Sequence, residues 1–392
     1  MKIHNYKAGE DLSDIAKQYG ISEDTLFSSN TEGADCATEG EELLILTPTR
    51  THVLKEGDTP ERLALRFGIK PVDILAQNPW ISTDGPLPGK TVNLKYDSKI
   101  YGTAPTNGYL FQGYDKGRLT RALPYLTYVT VASAVSDDNG IYQSFDDGEI
   151  LKLIKSESKI PLIRIYDKCK RRDFKSKDLR QGYIDSIVKF AVLRGYSGVV
   201  ISGRENSDGF LDFLCELRRA MIGCDLILIT EIDEKTASDV SELSDGSIFF
   251  YPKYAFEEQE SFALGERECY SRHACLSVGA KTFIDISALA KCSSGFISTE
   301  EAIRSARKHK KTIKKDKETL ICSFEDKSLG RCSFLSLEGV METYKIINEL
   351  GFMGASFDIS RTPITHLLMY NALFKSATHT TKRAPEGCSR GG

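Results

Sequence analysis

An internal repeat limits what this chain can fold into more than any other feature. His4, Gly9, Ala16, Gly20, Ile21 and Asn30 recur as His52, Gly57, Ala64, Gly68, Ile69 and Asn78, at a constant offset of 48 residues. Ile15 and Leu63, Tyr19 and Phe67, and Leu26 and Ile74 match in type at the same offset. One small unit has therefore been used twice. Each copy reads as strand, helix, helix, strand. Asp11 and Thr59 are placed as N-caps of a first helix that buries Ile15 and Tyr19, or Leu63 and Phe67, four residues apart. Gly20 and Gly68 end that helix. The second helix opens at Ser22 in one copy and with Pro71 in the other, where the missing N–H costs nothing. Closing strands follow at 43–46 and 92–94. A unit this small has a thin core, and tandem use suggests that weak binding sites are being added together.

The stretches Tyr6-Lys-Ala-Gly-Glu-Asp-Leu-Ser-Asp-Ile-Ala-Lys-Gln-Tyr-Gly-Ile and Leu54-Lys-Glu-Gly-Asp-Thr-Pro-Glu-Arg-Leu-Ala-Leu-Arg-Phe-Gly-Ile both resemble the LysM module. That resemblance implies binding of N-acetylglucosamine chains, peptidoglycan or chitin, in a shallow groove between two loops. The groove would involve Gly9, Glu10, Asp11 and Asn30 in copy one, and Gly57, Asp58, Thr59, Asn78, Pro79 and Trp80 in copy two. The competing reading is that these glycines and asparagines only cap helices, and that Trp80 belongs to the core rather than stacking on a sugar. Copy one departs from the family in its second loop, where 31–40 carries Cys36 and lacks the Asn-Pro pair.

Beyond a linker-like stretch at 97–106, apolar runs alternate with helical patterns. Strands are expected at 108–111, 128–135, 161–167, 198–202, 226–232, 247–251, 281–287 and 354–359. Most are continuously apolar, as parallel strands covered on both faces should be. Helices are expected at 177–193, 207–221, 299–310 and 337–350. Eight such units over 107–375 predict an α/β fold, a TIM (β/α)8 barrel preceded by two small βααβ modules at 1–48 and 49–96. A doubly wound open sheet is the runner-up. A small antiparallel insertion is expected near 312–335, and 376–392 reads as a polar tail.

Leu123-Pro-Tyr-Leu-Thr-Tyr-Val-Thr-Val-Ala-Ser, Arg194-Gly-Tyr-Ser-Gly-Val-Val-Ile, Ile297-Ser-Thr-Glu-Glu-Ala and Glu349-Leu-Gly-Phe-Met-Gly-Ala-Ser resemble the family 18 glycoside hydrolases, in the LysM-bearing branch linked with spore cortex lysis and germination. The resemblance implies substrate-assisted hydrolysis, in which a glutamic acid protonates the glycosidic oxygen and aspartates on the same strand orient the acetamido group. The corresponding stretch here runs Ser197-Gly-Val-Val-Ile-Ser-Gly-Arg204 and keeps only the glycine. Arginine, with a pKa above about 12, donates no proton near neutrality, and loss of a general acid costs on the order of 10²- to 10⁴-fold. The expected tyrosine after strand six aligns with Pro252 beside Tyr251, and the barrel-floor tryptophan with Asp358. The implied cleft positions are Ser202, Arg204, Glu205, Glu231, Tyr251, Asp285 and Asp358. Glu205 is a candidate acid if a bulge shifts the strand by one residue. Glu231, Asp285 and Asp358 either mark a relocated site or pair with Arg164 and Arg361.

With 52 Lys and Arg against 55 Asp and Glu, the net charge of −3 gives no general attraction to nucleic acid. The run Arg304, Arg307, Lys308, Lys310, Lys311, Lys314 and Lys315 reads either as a solvated face or as a contact for an anionic wall polymer. Ten cysteines contain no CxxC pair and read as buried thiols of a reducing compartment, and the six histidines are too scattered for a metal site. No cofactor is expected. The start Met-Lys-Ile-His-Asn-Tyr lacks a signal-peptide pattern and no run is long enough for a membrane span, so cytoplasmic synthesis and a place on the mother-cell side of the spore envelope are expected. The expected partners are a peptidoglycan or chitin-like polymer and spore coat or cortex proteins. The expectation is a glycan-binding protein with a noncatalytic barrel. The alternative is an active N-acetylglucosaminidase on cortex fragments, using Glu205 or a relocated carboxylate.

Overall fold

The computed structural model describes the chain except residues 31–36, 99, 170–173, 203–207, 234–235, 237–239, 251–280, 287 and 377–392. The first module consists of β1 (Lys2–Asn5), α1 (Leu12–Tyr19), α2 (Glu23–Ser29) and β2 (Glu42–Ile45), with its two strands antiparallel. The second has β3 (Pro48–Val53), α3 (Pro60–Phe67), α4 (Pro71–Gln77), a short α5 (Ile81–Asp84) and β4 (Thr91–Tyr96), again with an antiparallel pair. The caps fall where the residue types place them. Asp11 accepts from the Ser13 amide at 2.7 Å and Thr59 from the Arg62 amide at 3.3 Å. Gly20 and Gly68 close their helices in the left-handed region, at φ 66° and 67°.

Next come β5 (Gly102–Ala104), β6 (Thr106–Leu110), α6 (Lys116–Ala122), β7 (Tyr128–Asp137), β8 (Gly140–Gln143), α7 (Gly148–Ser156), β9 (Ile160–Asp167), α8 (Lys177–Arg194), β10 (Gly198–Ser202), α9 (Phe210–Ile222), β11 (Ile227–Ile232), β12 (Gly246–Phe249) and β13 (Thr282–Asp285). An inserted sheet follows, made of β14 (Leu289–Cys292), β15 (Gly295–Ser298), β16 (Lys314–Lys315), β17 (Ile321–Asp326) and β18 (Gly330–Leu335), with α10 (Thr299–Lys308) after β15. The chain then returns through α11 (Leu337–Leu350), β19 (Gly354–Asp358), α12 (Ile364–Leu373) and β20 (Phe374–Ser376).

β6, β7, β9, β10, β11, β12, β13 and β19 pair in parallel in that order, and β19 pairs with β6 to close the ring. This is an eight-stranded parallel barrel, not an open sheet. Tyr109, Leu162, Val200, Ile229, Ile248 and Phe283 form a cluster inside it, while Val129, Ile163, Val199, Leu228, Ile284 and Ala355 join the outer core. Both faces of each strand are buried, which is why the runs show no polar alternation.

Three features depart from the sequence-based expectations, and a fourth was not anticipated at all. The stretch 97–106 is no free linker: β5 pairs in parallel with β20, and the N-terminal ammonium donates to the Asp97 carbonyl at 3.2 Å. The insertion begins at β14 rather than near 312, and α10 belongs to it, since Ala302 and Ala306 pack with Ala290, Cys322, Phe324 and Phe334. A helical period shows which face is apolar but not which sheet will cover it. Cys292 and Cys332, opposite one another on β14 and β18, are joined as a disulfide rather than held as thiols. Finally, α12 is buried almost all round, because α2, α4 and α6 pack on it.

That burial has a consequence at low pH. His366 on α12 is fully enclosed, and burial lowers its pKa to about 4. The folded chain resists a proton that the unfolded chain accepts near pH 6.5, so stability is full above that value and falls until about pH 4. The loss is roughly 3 kcal/mol. His366→Phe is expected to flatten this decline, measured as urea midpoints at pH 7 and pH 4.5. Parallel declines in the two proteins would show that His366 does not cause it.

Candidate functional site

The two repeats build the same brace beside their first loops. His4 Nε2 lies 3.0 Å from Glu10 Oε2, which also accepts from the Lys7 amide at 2.7 Å. His52 Nε2 lies 2.7 Å from Asp58 Oδ2, which accepts from the Lys55 amide at 2.9 Å. Each imidazole packs on an aromatic ring of its own module, Tyr19 or Phe67. The Lys7 amide and then His4 hold the Glu10 carboxyl below the usual range. His52 and then the Lys55 amide do so for Asp58. The carboxylates are therefore directed at their own loops, and the braced turns leave Gly9, Asp11 and Gly57 exposed, with Thr59 half-buried.

Asn30 and Asn78 correct the expectation that they face a ligand. Asn78 is wholly buried; its amide donates to the Ile74 carbonyl at 2.8 Å and the Asn93 carbonyl at 2.7 Å, and its oxygen accepts from the Asn93 amide. Asn30 makes the same three bonds to Leu26 and Leu44. Both clamp the end of the second helix to the closing strand. Pro79 is buried as well. Trp80 packs on the core of its module, and the Lys90 ammonium lies 5.1 Å from its ring centroid.

At the C-terminal end of the barrel, Glu231 on β11 is held from two sides. Arg164 on β9 approaches it with Nε at 2.5 Å and an η-nitrogen at 2.8 Å, and the Tyr109 hydroxyl donates at 2.8 Å. Asp358 at the end of β19 lies 3.6 Å from Arg361 and accepts from the Ser360 amide. Burial raises the Asp358 carboxyl pKa. Both pairings with arginine are thus present. Asp285 ends β13 opposite Ser356, and Ser202 ends β10 opposite Glu231. Arg204, Glu205 and Tyr251 lie outside the described residues. Among the described residues there is no cluster of side chains able to hold a metal ion, and no helix long and apolar enough to cross a membrane.

Residues 7–38 and 52–95 match the LysM domain. The whole chain, LysM pair and barrel together, has the fold of the spore cortex-lytic enzyme SleL of Bacillus megaterium QM B1551. The TM-score is 0.71 at 16% identity, covering 96% of this chain and 99% of that one. SleL of Bacillus cereus gives 0.73 at 14% identity, with the same coverage. A chitinase from Chromobacterium violaceum ATCC 12472 matches at 0.60 and 14%, covering 69% of this chain and 98% of the other. No curated protein matches the chain.

The structure adds residues that the sequence reading left out. His4 and His52 were visible as repeated positions, but only the fold reveals their carboxylate partners. Phe111 just beyond β6, Tyr166 on β9 and Tyr142 on β8 are exposed aromatic side chains near the barrel mouth. For Phe111 and Tyr166 the signal was available, since both are large aromatics at or just past the ends of barrel strands; Tyr142 lies on β8, outside the ring.

Proposed function

We propose that the protein holds an N-acetylglucosamine glycan of the peptidoglycan or chitin type in the spore envelope, and that its barrel binds or positions this polymer without cutting it. The observation that carries the reading is the pair of LysM modules, whose first loops carry the same imidazole–carboxylate brace and are left facing solvent at Gly9, Asp11 and Gly57. Trp80 supplies the aromatic face of the second groove, and Phe111, Tyr142 and Tyr166 supply sugar-stacking surface at the barrel mouth. The noncatalytic half rests on Arg204 in the proton-donor place, and on Glu231 being committed to Arg164 and Tyr109. A carboxylate whose oxygens are already taken by a guanidinium and a phenol is not free to reach a glycosidic oxygen.

A second reading has one observation in its favour. Burial raises the Asp358 pKa at the end of the last barrel strand, as a relocated general acid would require. The full chain separates the two readings. It is expected to co-sediment with insoluble chitin and peptidoglycan, to lose about tenfold in affinity on Trp80→Ala, and to release no sugars detectable by mass spectrometry. Turnover abolished by Glu205→Gln would restore the family mechanism in a shifted register, and turnover abolished by Asp358→Asn would establish the relocated acid. Failure of the wild type to sediment with either polymer would overturn the glycan reading.

A further inference from the structure

The insertion is bolted to the first LysM module. The Thr38 hydroxyl donates to the Lys311 carbonyl at 2.7 Å, the Ile313 amide donates to the Glu39 carbonyl at 2.8 Å, and Thr312 bonds Glu39 at 3.0 Å. Beneath these contacts Arg307 forks onto the buried Glu41, with Nε at 2.9 Å, and Lys315 lies between Glu42 at 2.6 Å and Glu338 at 2.7 Å. Residues 38–41 belong to the second loop of the module and run beside its first, since the Gly40 amide donates to the Tyr6 carbonyl and the Tyr6 amide to the Glu41 carbonyl, each at 2.8 Å. The basic run therefore divides in two. Arg304, Arg307 and Lys315 are spent on glutamates, whereas Lys308, Lys310, Lys311 and Lys314 form no ion pair among the described residues, and all but the half-buried Lys311 are exposed. Lys317 extends the patch. Acids also lie beside the patch: Glu39 across the interface, Asp316, whose side chain caps its own turn, Glu318, and Asp326, which is paired with His309.

Building on the glycan reading, we propose that Lys308, Lys310, Lys311 and Lys314 form an anion-binding rim along the groove of the first module, so that the protein prefers a carboxylate-bearing glycan to a neutral one. A chain whose overall charge is −3 has no general pull on a polyanion. A local cationic edge fixed beside a sugar groove selects by substituent while the groove selects by ring. The pairing of Arg307 and Lys315 fixes the register of this edge against the module, so the selectivity is built into the interface rather than carried by a mobile tail. The chemistry recognised is a carboxylate, as on peptide stems. Phosphate of an attached polymer presents a similar charge, and the test separates the two.

The experiment measures sedimentation of the full chain with chitin, with peptidoglycan before and after removal of its phosphate polymers, and with the phosphate-free peptidoglycan after its carboxylates are converted to amides. Binding to unmodified peptidoglycan is expected to be about tenfold tighter than to chitin at low salt. That margin should vanish on amidation, in 0.5 M salt, and in the fourfold variant Lys308→Gln, Lys310→Gln, Lys311→Gln, Lys314→Gln. The variant should keep the wild-type affinity for chitin, which also shows that it is folded. Equal binding to chitin and peptidoglycan, or a margin that survives the four substitutions, overturns the rim while leaving the glycan reading intact. A preference seen only with phosphate polymers attached assigns the patch to phosphate and overturns the carboxylate assignment. Salt-sensitive peptidoglycan binding without any chitin binding supports the rim and removes the sugar groove, and binding to neither polymer removes both.

Discussion

Arg164→Met is expected to cost about 3 to 5 kcal/mol of stability, because it leaves Glu231 charged and unpaired inside the barrel. Glu231 is almost wholly enclosed, and two of its three hydrogen bonds come from that one guanidinium. The paired replacement Arg164→Met with Glu231→Leu removes both charges and should recover most of the loss, since desolvating an ion pair offsets much of its attraction. Urea unfolding followed by tyrosine fluorescence reads both variants. If the double variant is as unstable as the single one, the side chains matter through shape rather than charge.

Gly40→Ala is expected to break the contact between the first LysM module and the insertion. Gly40 has φ 78°, a conformation that costs a non-glycine residue roughly 1 to 2 kcal/mol. A methyl group there would also overlap the Ile313 carbonyl, a backbone atom that cannot rotate away. Gly20→Ala is the control, with φ 66° and open space around its Cβ. Both variants bear the dihedral strain. Only Gly40→Ala meets the insertion, so it should exceed the control by roughly 1 to 3 kcal/mol, the usual cost of overpacking. Hydrogen exchange at the Ile313 amide should rise in that variant alone. Unchanged protection at Ile313 would mean that the interface yields without separating.

How far the fold could be read depended on whether its determinants were local. Asp11, Thr59, Gly20, Gly68 and Pro71 each act within a few residues, and their roles were legible one by one. The barrel strands announced themselves as apolar runs of the right length. What escaped depends on partners far along the chain. Gly102 and Pro105 read as loop residues, yet the strand at 102–104 is completed by 374–376. The helix at 299–308 has an apolar face, and nothing in its own sequence says that this face meets β17 instead of the barrel. Asn30 and Asn78 stand out in the sequence because both copies keep them, which suggested a ligand contact. Identity alone cannot separate a clamp from a contact, and the deciding bonds go to Leu44 and Asn93. At the barrel mouth, the strand positions of Glu231 and Asp358 call for a charge partner, and Arg164 and Arg361 supply it.

The two modules are not beads on a string. Both rest on α12, the Thr25 hydroxyl of one donates to Asn93 of the other at 3.1 Å, and the Tyr125 hydroxyl ties the second to the barrel through the Ala76 carbonyl at 2.6 Å. Two sites on a flexible tether accommodate many spacings, at an entropic cost set by the tether. Two sites on one rigid body have a single spacing and orientation, and they lose no tether entropy when the second engages. Under the proposed glycan reading such a pair would work as a ruler: sugar strands whose separation matches that spacing would gain from both sites at once, whereas strands at other separations would engage only one.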